Sequence, residues 1–270
     1  MKIYLGPAGV PLTAAKGDTI SGIERVAELG LGAMEIEFVR GVKMSSDLAL
    51  EVGKTAERLG IKLSVHAPYY INLCNPEKAK DSQRRIMDSC ERAERMGAWV
   101  VVFHPGYYGK LESGGALGMV EKACLEMSDS LIKGGWDVKL GLETTGKVSQ
   151  FGTVDEILAV CRKIRSCVPV IDWAHLYAKY QGKVDFGGIL SKVISAGYRK
   201  VHTHFSNIEF TEKGERRHLT IDHKKPDFAK VAEIILRSRL EEITIISESP
   251  VLEQDSLVMK KTLERLGHRS

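Results

Sequence analysis

The chain has 270 residues, of which 43% are hydrophobic and 27% charged, with a formal net charge of +4. These proportions exclude a disordered tail, a collagen-like repeat and a disulfide scaffold. No apolar run approaches the ~20 residues needed to span a bilayer, and the opening MKIYLGPAGVPL lacks the apolar region of a secretory signal.

Strand-like apolar runs occur at residues 2–5, 33–38, 62–66, 99–104, 139–143, 168–172, 200–205 and 243–248. Several are continuously apolar, as in Val100-Val101-Val102-Phe103, which suits strands buried on both faces of a parallel sheet. Amphipathic runs separate them. Segment 77–97 spaces Ile86, Cys90, Ala93 and Gly97 four, three and four residues apart, with Arg and Glu on the other face. Pro76 opens that helix, where its missing N–H does no harm. Gly30 and Gly60 each stand between a helical run and a strand, where a left-handed stop is expected. Asp155 and Glu156 crowd the start of a later helix, favourable to its dipole.

Eight such strand–helix units without a composition break predict an α/β fold: a (β/α)8 TIM barrel spanning residues 1–270 as one domain. A doubly wound open sheet is the competitor. Its phosphate fingerprint is missing, because the first turn reads Gly6-Pro7-Ala8-Gly9. The glycines at 114, 115 and 118 are read as relaxing the entry to a helix. The five cysteines form no C-x-x-C pair, so they are expected as reduced core thiols in a cytoplasmic protein.

Reactive groups of a barrel collect at the C-terminal ends of its strands. Strands three to eight end in His66, His104, Glu143, Asp172 (with His175 three residues on), His204 and Glu248. His, Asp and Glu make up roughly one residue in six, so six consecutive strand ends of these types exceed what composition supplies. Buried at one mouth, such groups are costly unless paired or metal-bound. Mixed imidazole and carboxylate donors suit zinc, with manganese or iron as alternatives. Seven donors exceed one tetrahedral shell, which implies at least two ions. Ions about 3.5–4 Å apart are a device for hydrolysing phosphoesters. His202 shares the strand face of His204 and is read as supporting it or as core.

On these residues the chain resembles the endonuclease IV family of apurinic/apyrimidinic endonucleases, in the xylose-isomerase-like barrel superfamily. The segments that carry the resemblance are HAPYYINLCNP, FHPG, the ET after strand five, the D-x-x-H of Asp172 and His175, and ESP. The resemblance covers most of the chain and implies a site of two or three zinc ions, manganese being the other candidate. It implies hydrolysis of double-stranded DNA 5′ to an abasic sugar. It further implies that His66, His104, Glu143, Asp172, His175, His204 and Glu248 are metal ligands. Glu143 would be the catalytic residue that bridges two ions, and Tyr69 would meet the DNA minor groove. The family's Asp-x-His pair after strand seven is replaced here by Glu215-Arg216-Arg217-His218, so His218 is expected as a ligand with Glu215 as the substitute carboxylate.

The stretch 211–225 carries a net +2, and Arg216 and Arg217 are expected to contact phosphates. Tyr107 and Tyr108 are candidates for stacking on a base or sugar. The alternative function is that of a sugar isomerase or epimerase of the same superfamily. That chemistry needs only Glu143, Asp172, His204 and Glu248 around one ion and leaves His66, His104 and His175 without a role. A third class, a non-catalytic DNA- or metal-binding protein, rests on the altered stretch before His218.

Overall fold

In the computed structural model, which describes residues 1–268, eight parallel strands form one sheet. They are β1 (Lys2–Pro7), β2 (Ala33–Glu37), β3 (Lys62–His66), β4 (Val100–Phe103), β5 (Lys139–Glu143), β6 (Cys167–Asp172), β7 (Lys200–Phe205) and β8 (Glu242–Ser247). Their order is β1-β8-β7-β6-β5-β4-β3-β2. The seam between β2 and β1 closes through Gly32 N–H donating to Leu5 O at 3.0 Å and Gly9 N–H donating to Glu35 O at 2.9 Å. The fold is therefore a single-domain TIM barrel.

The helices follow in chain order as α1 (Thr19–Glu28), α2 (Ser46–Leu59), α3 (Pro76–Arg95), α4 (Ser113–Gly134), α5 (Val154–Lys163), α6 (Trp173–Lys179), α7 (Phe186–Ser195), α8 (Phe228–Arg237) and α9 (Glu253–Arg265). None is long and apolar enough to cross a membrane. Among the described residues, seven of the nine starts carry a side-chain cap, α4 and α9 being the exceptions. Asn75 accepts from Glu77 N–H with Pro76 in the first turn of α3, and Thr153 and Glu156 cap α5 reciprocally. Gly30 and Gly60 have left-handed φ of 64° and 68°. Gly97 departs from the predicted stripe: α3 ends at Arg95, and Gly97, at φ 69°, is part of its stop. Gly114 and Gly115 lie in the first turn of α4. All five cysteines are buried and unpaired.

Two short ribbons went unread in the sequence. Gly106–Tyr107 pairs with Gln150–Phe151, and Asn207–Thr211 pairs with Gly214–Leu219 as a hairpin that runs into the basic stretch 211–225. The hairpin docks on the segment after β5: Glu215 N–H donates to Gly146 O at 3.1 Å and Val148 N–H to Lys213 O at 3.2 Å. This approach leaves no room for a side chain. A Cβ at Gly214 would lie 2.2 Å from Gly146 O, and one at Gly146 would lie 2.4 Å from a Glu215 carboxylate oxygen.

The main apolar core lies between the sheet and the helices, while Val100, Val102 and Val170 fill part of the barrel interior. Close packing fixes two strand glycines. A Cβ at Gly6 would sit 1.6 Å from the Ala33 carbonyl oxygen across the seam, whereas one at Gly141 would meet methyl groups of Val100 and Val170 at 2.7 and 2.9 Å. Backbone cannot retreat as side chains can. Gly141→Ala is expected to cost about 1–3 kcal/mol, the usual penalty of overpacking, and Gly6→Ala more than about 3 kcal/mol. Urea denaturation of both variants checks the ranking; equal midpoints would refute it.

Candidate metal centre

Glu143, the last residue of β5, is fully buried, and each of its carboxylate oxygens faces two imidazoles. Oε2 lies 3.3 Å from His66 Nε2 at the end of β3 and 2.9 Å from His104 Nε2 just after β4. Oε1 lies 3.2 Å from His175 Nδ1 and 3.1 Å from His204 Nδ1. His204 Nδ1 is also 3.2 Å from an oxygen of Glu248, which follows β8. The strand ends predicted from sequence thus converge on one carboxylate.

Local structure sets the direction of each ring. The His66 Nδ1 atom is 2.8 Å from Ala67 O, and that of His175 is 3.0 Å from Thr144 O. A carbonyl only accepts, so Nδ1 carries a proton in both rings and Nε2 is the atom turned to the mouth. Asp172 has two roles. Its Oδ1 caps α6 by accepting from His175 N–H, and its Oδ2 stays free, 3.4 Å from the His175 ring. The D-x-x-H spacing is thus a helix cap that also aims a histidine. His218, on the hairpin, has Nδ1 2.7 Å from Ser206 Oγ and 3.9 Å from Glu248. Glu215 reaches His175 Nε2 at 3.4 Å.

The electrostatics are those of crowded acids held by imidazoles. Burial alone would raise the Glu143 carboxyl, but His104 and His204 hold it well below the usual carboxylate range. Glu248 is lowered in the same way, against burial, by His204. Asp172 goes the other way: burial pushes it well above the usual range, and Glu248 and Glu143 add to the shift. Against burial, Glu143 and Glu37 hold His66 up at about 10, while Asp172 and Glu143 raise His175, and Glu35, Glu248 and Glu143 raise His204. Burial lowers His218.

These residues fit divalent cations. Donor atoms within 4.8 Å of one another form three groups at the mouth: His66, His104 and Glu143; Glu143, Asp172, His204 and Glu248; and His175, His218 and Glu248. Buried oxygens of Asp172, Glu215 and Glu248, and Nε2 of His175, have no hydrogen-bond partner. A cation would take the place of the protons that otherwise hold such acids together.

The other sequence candidates fall outside these groups. Tyr69 lies at the rim, 61% exposed, with its ring 5.8 Å from that of His66. Tyr107 also lines the mouth. Tyr108 does not stack there: its hydroxyl donates to Glu156 at 2.8 Å, which ties it to the α5 cap. Arg216 and Arg217 are exposed and share Glu209, each at 2.6 Å. The one Lys or Arg lining the mouth, among the described residues, is Lys147. Its backbone is braced by the half-buried Lys179, whose Nζ donates to Lys147 O and Gln150 O.

The sequence reading missed Lys147, Glu35 and Glu37. Glu35 lies inside the barrel between His202 and His204, 2.9 Å from each. Against burial, those two imidazoles keep its carboxyl far below the usual range. Glu37 ends β2, and burial raises its carboxyl to about 8, with help from Glu35 and Glu248. The signal was present: Glu35 and Glu37 alternate with Met34 and Ile36, so they share one strand face. Extending this strand to Phe38 hid Glu37 as its end.

Comparison with known proteins places this geometry in context. A family model described as xylose isomerase-like TIM barrel matches residues 23–266. The chain is 35% identical over 274 residues to an uncharacterized protein of Methanocaldococcus jannaschii, with 98% of each chain covered. It is 31% identical over 229 residues to a probable endonuclease 4 of Shouchella clausii, covering 79% of this chain and 76% of that one. Among solved structures, endonuclease IV from Thermus thermophilus superimposes with a TM-score of 0.73 at 20% identity, covering 98% of this chain and all (100%) of that one. D-psicose 3-epimerase from Clostridium cellulolyticum gives 0.70 at 16% identity, with 98% and 99% covered. At these identities the two structures speak for the fold alone. The match over nearly the whole chain shows that this protein belongs to the xylose isomerase-like TIM barrel family, and proteins described as probable endonuclease 4 are among its relatives.

Proposed function

We propose that the chain is a metal-dependent phosphodiesterase of DNA repair that hydrolyses duplex DNA 5′ to an abasic site. The observation that carries this reading is the set of three donor groups sharing Glu143 and Glu248. An isomerase or epimerase working with one ion would use Glu143, Asp172, His204 and Glu248. It would have no use for His66 and His104 on the opposite oxygen of Glu143. The probable endonuclease 4 relatives support the same choice.

In this reading His66, His104 and Glu143 would hold one ion and Glu143, Asp172, His204 and Glu248 a second. His175 and His218 would hold a third with Glu248 or Glu215. Zinc, or manganese, bound there would supply Lewis-acid activation of water and stabilise charge on a phosphoryl group. The protein's own part is placement. Glu143 keeps its charge against full burial because imidazoles surround it. Tyr69, exposed at the rim beside His66, would offer its ring to the gap that an unstacked abasic sugar leaves. Lys147 offers the mouth a positive charge for a phosphate oxygen, and its braced backbone limits how far that charge wanders. Arg216 and Arg217, already sharing Glu209, would add phosphate contacts farther out.

On a synthetic abasic duplex the purified protein is expected to leave a 3′-hydroxyl on the upstream fragment. Trapping of a Schiff base with borohydride would instead indicate lyase chemistry and refute hydrolysis. His66→Ala, His104→Ala and Glu143→Gln are each expected to cut turnover by orders of magnitude, because the ligands act as a unit. Full incision by both histidine variants would contradict the multi-ion reading. Lys147→Ala should raise KM more than it lowers kcat and flatten the salt dependence of binding by about one unit, the signature of one lost phosphate contact. An unchanged salt slope would remove Lys147 from the DNA path.

A further inference from the structure

Beneath the floor of the mouth lies a second, fully buried polar cluster. Glu35, in the middle of β2, His202 and His204 on β7, and Ser64 on β3 meet inside the barrel, all with 1% exposure or less. Ser64 Oγ donates to Glu35 Oε2 at 2.7 Å, and His202 Nε2 lies 2.9 Å from the same oxygen. Glu35 Oε1 faces His204 Nε2 as an ion pair, also at 2.9 Å, and neither of these two atoms has a hydrogen-bond partner. The His202 ring packs edge-on against Trp99 at 5.8 Å, which closes the cluster from below.

His204 therefore has two different faces. Its Nδ1 points up to Glu143 and Glu248, and its Nε2 points down to Glu35. His66 and His175 each have their tautomer set by a backbone carbonyl. His204 has no such carbonyl on its lower nitrogen; a carboxylate stands there instead. With an ion taking Nδ1 in the mouth, the ring's remaining proton lies on Nε2, and the Glu35 carboxylate is the group placed to accept it. It also makes the ring a better electron donor than a carbonyl would.

We propose that Glu35 is a positioning residue for His204: held by Ser64 and His202, it fixes the ring so that Nδ1 ligates the ion shared with Glu143, Asp172 and Glu248. The proposal rests on the reading of His204 as a ligand, which the phosphodiesterase and the one-ion isomerase have in common. It assigns the buried cluster of Glu35, Ser64 and His202 to tuning one ion of the mouth, and it predicts that the other donor groups are indifferent to Glu35.

Two measurements test this without relying on catalysis. The first is long-range proton–nitrogen NMR of wild-type protein labelled with 15N histidine and loaded with zinc. It is expected to show His204 protonated at Nε2 and metal-shifted at Nδ1. An unprotonated or zinc-bound Nε2 would overturn the proposal, and this outcome needs no variant to fold. The second is zinc competition against a chromophoric chelator for wild type and Glu35→Gln. One class of site is expected to weaken about 10- to 100-fold, the usual effect of losing an outer carboxylate, while the rest are unchanged. A Glu35→Gln protein with a lowered urea midpoint but wild-type zinc affinity would make Glu35 merely structural. Wild-type protein that binds no zinc or manganese would instead overturn the reading of His204 as a ligand, and the proposal with it.

Discussion

A carboxylate buried without contact to water must be surrounded by positive charge or lose its own. Glu143 meets this constraint with four imidazoles from four different segments of the barrel, two on each oxygen. Much of the site follows from it. Two of these histidines bring further carboxylates, His175 meeting Asp172 and Glu215 and His204 meeting Glu248 and Glu35, so the cluster grows outward and downward from Glu143. Acids in such numbers keep several oxygens unpartnered, which is what a set of cation ligands looks like before the cations are considered. Closing the strands into a barrel lets residues far apart in the chain, such as Glu143 and Glu248, share one volume.

The barrel has apolar packing on its outside and polar layers within. The helices bury the large side chains against the outer face of the sheet. Inside, Val100, Val102 and Val170 occupy part of the space, Glu35, Ser64 and His202 form a polar layer, and the donor groups lie above that layer. The hairpin Asn207–Thr211/Gly214–Leu219 extends the mouth beyond the strand ends. Its close crossing at Gly146 and Gly214 brings Glu215 against His175. The hairpin thus sets an acid, Glu215, against His175 from a position three residues before His218.

Much of this was legible in the sequence. The eight apolar runs mark the strands because both faces of each are covered, and the chemistry of their last residues marks the mouth. What was not legible depended on contacts between distant segments. The basic stretch 211–225 contributes to a hairpin because Thr211 pairs with Gly214 across Glu212 and Lys213 and the second strand docks on Gly146. Tyr108 reads as a stacking residue until its hydroxyl is seen on Glu156. Glu35 reads as an ordinary strand residue, since nothing local says that His202 and His204 will lie beside it inside the barrel. Lys147 follows Glu143 by four residues in a turn whose direction is set by Lys179, from another unit.

The central claim is that Glu143 lies between ions rather than beside a single one. Anomalous diffraction at the zinc edge, from crystals of protein loaded with zinc, tests it most directly. The account predicts at least two peaks flanking Glu143, one of them against His66 and His104. A single peak among Glu143, Asp172, His204 and Glu248, with no density at His66 and His104, would contradict it.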